Sequence, residues 1–521
     1  MNASSRSRRA VAAVASLAIA TPLLLAAASP ATAQRGGPNA GKEAAKLAKK
    51  LVNDSSGPGA YQHLKQFQAI ADSAGGNRAA GSLGHDASGA YVFSLLKKAG
   101  YDVHYEAFEF TSIVTQAEKL SVVTPAPRDV KIIAMSYTKS TPAGGLNAAV
   151  AAVPVDATTG CEAEDYAAGF AGKIALIKRG GCSFAQKQAT AATAGAAAAI
   201  IYNNEAGDLN GTLGSPEDGK IPTGGISQAD GEALAADVAK GPVTVNLDIR
   251  QSQSKKTTRN VIAETKGGNA ANTVMLGAHL DSVAEGPGIN DNASGSAGLI
   301  EVALKLAKAT KNGKQPANKV RFAWWSAEEL GLLGAEDYVA KLTPEQRAKI
   351  KLYLNFDMIA SPNFGQFVYD GDDSDGVGAG PGPEGSAQLE RDITDFLDSK
   401  KFPHEGTDFS GRSDYGPFIE VGIPSGGTFT GAEGIKTPAQ AAKFGGEAGV
   451  AYDKCYHSKC DDITNINQKA LDINVDVIAN AVGTYAHDLS SLGKPVVSKP
   501  TTGGDSGSGG HSGHGHDALT S

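Results

Sequence analysis

The segment TVMLGAHLDSV, residues 273–283, decides the fold. Its first half is a short, almost unbroken apolar run, as expected of a strand buried on both faces, and it ends in His279 and Asp281, which a core strand does not require. The pattern repeats on either side. NVIAETKG (260–267), KVRFAWWSAEE (319–329), KLYLNFDMIAS (351–361) and GIPSGGTFTG (422–431) are further strand-like runs, separated by helical stretches such as GSAGLIEVALKLAKAT (295–310) and LGLLGAEDYVAKL (330–342). The alternation predicts an α/β domain of three layers, with a mixed central β-sheet between helices. Sites in such domains form at the carboxyl ends of the strands.

Upstream, GKEAAKLAKKL (41–51), AYQHLKQFQAIAD (60–72) and DASGAYVFSLLKKAGY (86–101) have helical spacing, and YDVHYEAFEF (101–110) is a strand by its aromatic and β-branched content. The character changes from Val122 to Arg250, where Pro125, Pro127, Pro142 and Pro154 stand among Gly-rich turns. Within it, residues 173–177 form a short strand, 184–194 an Ala-rich helix and 197–202 a second strand, a β-α-β unit whose first strand lies between Cys161 and Cys182. GKIALIKRGGCSFAQKQATAATAGAAAAIIYNN (172–204) resembles a protease-associated domain, a small insert found in several secreted or lumenal peptidase families. The expected organisation is a signal peptide at 1–33, a first peptidase segment at 34–121, the insert at 122–255, a second peptidase segment at 256–492, and a flexible tail at 493–521.

With 521 residues, 41% of them hydrophobic and 20% charged, the chain is a soluble globular protein of more than one domain. Its formal net charge of −7 becomes more negative once Arg6, Arg8 and Arg9 leave with the signal, which disfavours nucleic-acid binding. Those arginines, the apolar stretch from Val11 to Ala28, and Ala31-Thr32-Ala33 before Gln34 form the signal pattern. The expected protein is therefore secreted, extracellular, free of the membrane after cleavage, and monomeric. In an oxidising compartment the four cysteines form disulfides. Of three pairings, Cys161 with Cys182 and Cys455 with Cys460 is preferred, because each pair is close in sequence. The Gly/Ser/His-rich end, with His511, His514 and His516, reads as a solvated tail rather than a metal site.

His279, Asp281, Asp291, Glu328, Glu329, Asp357 and His457 follow the strand-like runs or lie in CYHSKC (455–460). Imidazoles and carboxylates without thiolates suit zinc. They are too many ligands for one tetrahedral ion, so two ions sharing a carboxylate is the economical reading. Bland readings exist for most of these residues. Ser326 and Glu329 fit a capping box, Asp291 and Asn292 fit the start of the next helix, and His279 fits a hydrogen-bonded core histidine. Asp357 resists this treatment, since an unpaired carboxylate in an apolar strand carries a large burial cost.

AHLDSV, NDNASG, WSAEELGLLG, NFDM and YDKCYHSKCDDITNIN, in that order, resemble the secreted dizinc aminopeptidase family that includes aminopeptidase Y and the Streptomyces leucyl aminopeptidases. The resemblance implies that His279 and Asp357 hold one zinc, Glu329 and His457 the other, and Asp291 bridges them. It further implies Glu328 as general base, Asp281 as the residue orienting His279 through its second ring nitrogen, and Tyr456 as donor to the developing oxyanion. Because neighbouring strand residues point to opposite faces, Glu328 and Glu329 serve one site only if the strand has already ended. Arg412 is placed facing substrate or product, with a surface arginine as the alternative. Met358, Gly411 and Phe429 are placed at an apolar pocket for the first side chain. A weaker likeness puts calcium at Asp54, Asp472 and Asp476, where a solvated helix face is the competing reading. The implied substrates are peptides with a free N-terminus. A carboxypeptidase, a dipeptidase and a glutaminyl-cyclase-like enzyme are the enzymatic alternatives, and a binding module built on the insert is the non-enzymatic one.

Overall fold

The computed structural model describes residues 39–496 except 167, 168 and 312. The signal reading of 1–33 and the histidines of the tail fall outside the described residues. No described helix is long and apolar enough to cross a membrane.

Three helices come first, Ala40–Asp54, Gly57–Ser73 and Leu83–Ala99. Ser56 and Ser82 accept main-chain hydrogen bonds at the starts of the second and third, and Gly100, at φ 103°, ends the third in the left-handed conformation that glycine adopts without strain. The central sheet runs in the order Glu405–Thr407, Phe367–Tyr369, Ser425–Phe429, Ile350–Phe356, Asn269–His279, Asn318–Trp325 and Thr244–Glu264. Its middle strands are parallel, Thr244–Glu264 is antiparallel to Asn318–Trp325, and Phe367–Tyr369 is antiparallel to Ser425–Phe429, so the sheet is mixed.

Side-chain alternation explains why these strands read as continuous apolar runs. Val274, Leu276, Ala278, Val320, Phe322, Trp324, Leu352 and Leu354 enter the core shared with the three opening helices, Ser294–Thr310 and Gln468–Tyr485. Met275, Ala323, Trp325 and Tyr353 face the other way, against Tyr338, Val339 and Phe418. With both faces covered, consecutive positions are apolar at 274–276, 322–325 and 352–354 before each strand leaves the layers. It leaves at His279, Trp325, Phe356 and Phe429, which sets the polar residues that follow at one edge of the sheet.

Asp102–Thr124 continues far past the sheet as an antiparallel ribbon with Thr244–Glu264, from Asp102 opposite Glu264 to Thr124 opposite Thr244. At its far end Leu146–Ala152, Ile174–Lys178, Ala198–Tyr202, Thr223–Ile226 and Ile133–Ala134 extend the sheet, with helices Phe184–Thr193 and Gln228–Lys240 and two cores of their own. The β-α-β unit read between 173 and 202 is present, and Cys161 bonds Cys182 while Cys455 bonds Cys460. Boundaries at 122 and 255 fall inside the ribbon, where Val122 faces Val245 and Lys255 faces Thr111. The ribbon root matters to the larger lobe, because Phe108 and Phe110 pack on Ala327.

One capping expectation fails. Ser326 does not cap the helix that follows, which begins at Leu333 with no side-chain cap. The Ser326 hydroxyl instead lies 2.6 Å from that of Thr258, and its amide donates to Asn260. The ribbon strand alongside offers a buried partner that local spacing does not disclose.

Val114 faces Ser252 across the ribbon, beyond the phenylalanines that touch Ala327. Replacing residues 115–251 with a two-residue Asn-Gly turn is expected to leave a soluble lobe that unfolds cooperatively, with Tm lowered by less than about 10 °C. Thermal unfolding followed by circular dichroism checks this. A product without a cooperative transition would show that the larger lobe needs the insert to fold.

Candidate metal centre

His279 is the last residue of its strand and is fully enclosed. Its Nδ1 lies 3.1 Å from the main-chain carbonyl of Asp281, which can only accept, so Nδ1 carries a proton and Nε2 is left facing carboxylates. The Asp281 carboxylate is farther, at 3.8 Å, and its Oδ1 accepts from the Glu328 amide at 3.3 Å. Asp281 thus orients His279 through its backbone, while its side chain holds the turn that carries the two glutamates.

That turn answers the question of the adjacent glutamates. The strand ends at Trp325, Ala327 takes a positive φ of 58°, and Glu328–Leu330 form a 3₁₀ turn, so both carboxyl groups reach the same side. Glu329 Oε2 is 2.9 Å from His457 Nε2, and Glu328 Oε2 is 3.9 Å from His279 Nε2. Asp291 stands between the imidazoles, its Oδ1 3.2 Å from His279 Nε2 and its Oδ2 3.3 Å from His457 Nε2. Asp357 Oδ1 is 3.3 Å from His279 Nε2. The other Asp357 oxygen accepts from Ser413 at 2.5 Å, at the end of a chain running from Trp325 through Tyr353 and Asn355.

Main-chain anchors fix the loops. The amides of Asn290 and Asp291 donate to Asp461 at 2.8 and 3.0 Å, and Asn465 donates to both Asp461 and Asp453, which also accepts from Asn290. His457 and Tyr456 lie in the short disulfide loop between these two aspartates. Arg78, wholly buried, donates to the carbonyls of Leu280, Pro287 and Gly288, tying the segment after His279 to the one before Asp291.

The donor set fits metal. Atoms sharing a tetrahedral zinc at ~2.0–2.1 Å stand about 3.3 Å apart, and the contacts of His279, Asp291, Asp357, Glu329 and His457 are 2.9–3.3 Å. Glu329 Oε1 and Asp357 Oδ1 are buried without a hydrogen-bond partner. Two overlapping ligand groups result, His279 with Glu328 and Asp357, and His279 with Asp291 and Glu329. Burial pushes Glu328 well above the usual carboxylate range and, with Asp291 beside it, Glu329 up to about 7. Burial opposes charge on His457 as well, but Glu329 and Asp291 outweigh it and raise the imidazole to about 11. Each shift expresses a site in want of positive charge. A third acidic group, Asp370, Asp372 and Glu390, lies apart, with Asp370 and Glu390 accepting loop amides.

Tyr456 stacks on His457 at 3.8 Å, and its buried hydroxyl is held well above its ordinary pKa. Arg412, read as facing substrate, has its guanidinium engaged by Glu433 at 2.8 Å and by the Tyr456 hydroxyl at 3.1 Å. Met358 follows Asp357, and its carbonyl accepts from Thr430, so Met358 and Phe429 occupy neighbouring strand ends, while Gly411 precedes Arg412 on a positive-φ turn. Among the described residues, no group of potential metal ligands includes the three carboxylates read for calcium. Asp54 pairs with Lys50, Asp472 accepts from the Gly57 amide, and Asp476 faces Lys400 at 3.7 Å. Burial and the neighbouring Asp472 raise Asp476 to about 6 despite that lysine.

Sequence reading missed Asp414, Asp461, Glu433 and Arg78. Asp414 is completely buried, both its oxygens lack partners, and burial raises its pKa well above the carboxylate range. It stands in GRSDYGPF, a motif read for Gly411 and Arg412; an aspartate beside Ser413 in a turn entering a helix gives no local sign of burial.

Residues 260–482 match peptidase family M28, and residues 147–234 match the PA domain. Leucine aminopeptidase 2 of Trichophyton rubrum is 46% identical over 427 residues, 82% of each chain. An aminopeptidase of Pseudomonas aeruginosa is 48% identical over 434 residues, 80% of this chain and 78% of the relative. Among solved structures, the aminopeptidase from Aneurinibacillus sp. strain AM-1 superposes with a TM-score of 0.68 at 27% identity, over 87% of this chain and 98% of that one. The zinc aminopeptidase BSAP from Bacillus subtilis gives 0.60 at 28% identity, over 82% and 94%.

The Asp291 carboxylate meets both imidazoles, so Asp291→Ala is expected to lower zinc content by more than one equivalent per chain, and Asp54→Ala to leave it unchanged. Elemental analysis of the dialysed proteins checks both. Full zinc retention in Asp291→Ala would show that the carboxylate is not shared.

Proposed function

This chain belongs to peptidase family M28, as a zinc-dependent aminopeptidase carrying an inserted PA domain, and from that premise we propose that it is secreted and releases apolar N-terminal residues from peptides with Glu328 as general base. The observation that carries this reading is the Asp291 carboxylate, one oxygen on each imidazole. Two zinc ions are proposed, one held by His279 and Asp357, the other by Glu329 and His457, with Asp291 common to both. Bound there, they would supply Lewis acidity to the scissile carbonyl and acidify the attacking water.

The chain's own residues do the rest. Glu328 sits on the same turn as Glu329 but makes a longer approach, 3.9 Å, to the imidazole, which leaves it available for a proton. Burial raises its affinity for a proton, which suits a carboxylate that accepts the proton of the attacking water and passes it to the departing amine. The Tyr456 hydroxyl, kept protonated by burial, donates to the carbonyl oxygen as negative charge develops there. The acidic surroundings of Glu328 and Asp357 attract the free α-amine and so help to align the first peptide bond. Met358 and Phe429 present an apolar surface to the first side chain. Two disulfides support export, since such bonds persist in oxidising compartments.

Glu328→Gln is expected to keep its zinc and its fold while kcat falls at least ~10²-fold, because a proton carrier is removed and no proposed ligand is. Steady-state kinetics with metal analysis checks this, and near-normal turnover with zinc bound would exclude Glu328 as the base. The end of the substrate that is read gives an independent test. Leu-Gly-Gly is expected to be cut after Leu, acetyl-Leu-Gly-Gly to be inert, and Leu or Met to be released ahead of Asp, whose carboxylate is costly to bury. Chromatographic product analysis decides it, and release from the carboxyl end or equal cutting of the blocked peptide would overturn the aminopeptidase specificity.

A further inference from the structure

Glu433 lies in the turn after the strand Ser425–Phe429, outside every motif read in the sequence. The Tyr452 amide donates to the Gly434 carbonyl at 2.9 Å and the Asp453 amide to the Ala432 carbonyl at 2.8 Å. Glu433 is thus flanked on both sides by bonds to the segment that leads into Tyr456. A side chain at Gly431 would meet the Tyr452 ring at 2.3 Å, so the turn and that segment are in close contact. From this fixed base Glu433 Oε1 receives Arg412 Nη1 at 2.8 Å, and Arg412 Nη2 donates to the Tyr456 hydroxyl at 3.1 Å.

The direction of these bonds has a chemical consequence. A guanidinium only donates, so the Tyr456 oxygen is an acceptor toward Arg412, and its single proton must point elsewhere. Stacking on His457, at 3.8 Å and 22°, limits where the ring can turn. That leaves the proton free to be given to the oxygen of a bound substrate. The Arg412 charge also polarises the hydroxyl and strengthens it as a donor. Arg412 and Glu433 retain side-chain exposures of 33% and 27%, so as an ion pair alone they contribute little to the fold.

We propose that Glu433 is a positioning residue for peptide hydrolysis, holding Arg412 so that the Tyr456 proton is directed at the carbonyl oxygen of the scissile bond. This rests on the reading of Tyr456 as donor to that oxygen. The experiment is a double-mutant cycle on the full zinc-loaded chain with leucine para-nitroanilide, a substrate without a far carboxylate for Arg412 to bind. Tyr456→Phe is expected to lower kcat about 10²-fold. Glu433→Gln is expected to lower kcat about tenfold, with KM within about twofold and Tm and zinc content unchanged. In the Tyr456→Phe background, Glu433→Gln is expected to add nothing. Unchanged kcat in Glu433→Gln, or the same tenfold loss in both backgrounds, overturns the inference while the role of Tyr456 stands. Near-normal kcat in Tyr456→Phe overturns the role of Tyr456 and this inference with it.

Discussion

The Asp291 carboxylate, with one oxygen 3.2 Å from His279 and the other 3.3 Å from His457, joins two halves of the site that come from distant parts of the chain. His279 ends a central strand; His457 lies in a six-residue disulfide loop far beyond it. Neither imidazole meets this carboxylate unless the Asp291 segment is held against both. That task falls to main-chain groups, with the amides of Asn290 and Asp291 on Asp461 and the carbonyls of Leu280, Pro287 and Gly288 on Arg78. Hydrogen bonds to charged groups are among the strong ones, and here they hold the loop between the two imidazoles.

Burial makes the arrangement costly and therefore chemically useful. Asp281, Asp291, Glu328, Asp357, Asp414 and Asp461 are all buried, and carboxylates taken out of water together favour protonation or a cation. Among the described residues nearby, Arg78 is the completely buried cation, and burial lowers even its pKa to about 10 while Asp281 and Asp461 act to raise it. One guanidinium and two imidazoles do not balance six carboxyl groups. The shortfall is the physical basis of metal demand, and it also gives Glu328 its readiness to take a proton. The turns bear part of the cost. Ala327, Met358 and His457 have positive φ without being glycine, and they precede Glu328, follow Asp357 and carry the second imidazole. Backbone strain of this kind persists where surrounding contacts over-determine it.

The inserted lobe touches this centre through the root of its ribbon. Phe108 and Phe110 pack on Ala327, and Asn260 and Thr258 of the facing strand engage the Ser326 amide and hydroxyl. The two strands that lead to the insert are thus also the wall behind the glutamate turn. An insertion at this place leaves the parallel core strands uninterrupted and adds its own cores at the far end of the ribbon. The same strand carries the structure from one lobe to the other.

Sequence alone determined the α/β class, the succession of strands and helices along the chain and the β-α-β unit of the insert from residue type and short-range period, and the disulfide pairing from closeness in sequence. The motifs that end the strands were equally legible, since polar residues closing apolar runs stand out locally. Tertiary structure decided the rest. Ser326 looked like a helix cap until Thr258 supplied a buried partner, and the Asp281 carbonyl proved to lie nearer the His279 ring than the Asp281 carboxylate does. Asp414, Arg78 and Glu433 carry no local mark, because an aspartate in a turn, an arginine before a helix and a glutamate in a Gly-rich loop are ordinary surface residues by type. Their burial and partners depend on which segments pack against them across tens to hundreds of residues, and that distance is set by the three-dimensional packing of the sheet and its helices, which no periodicity in the chain encodes.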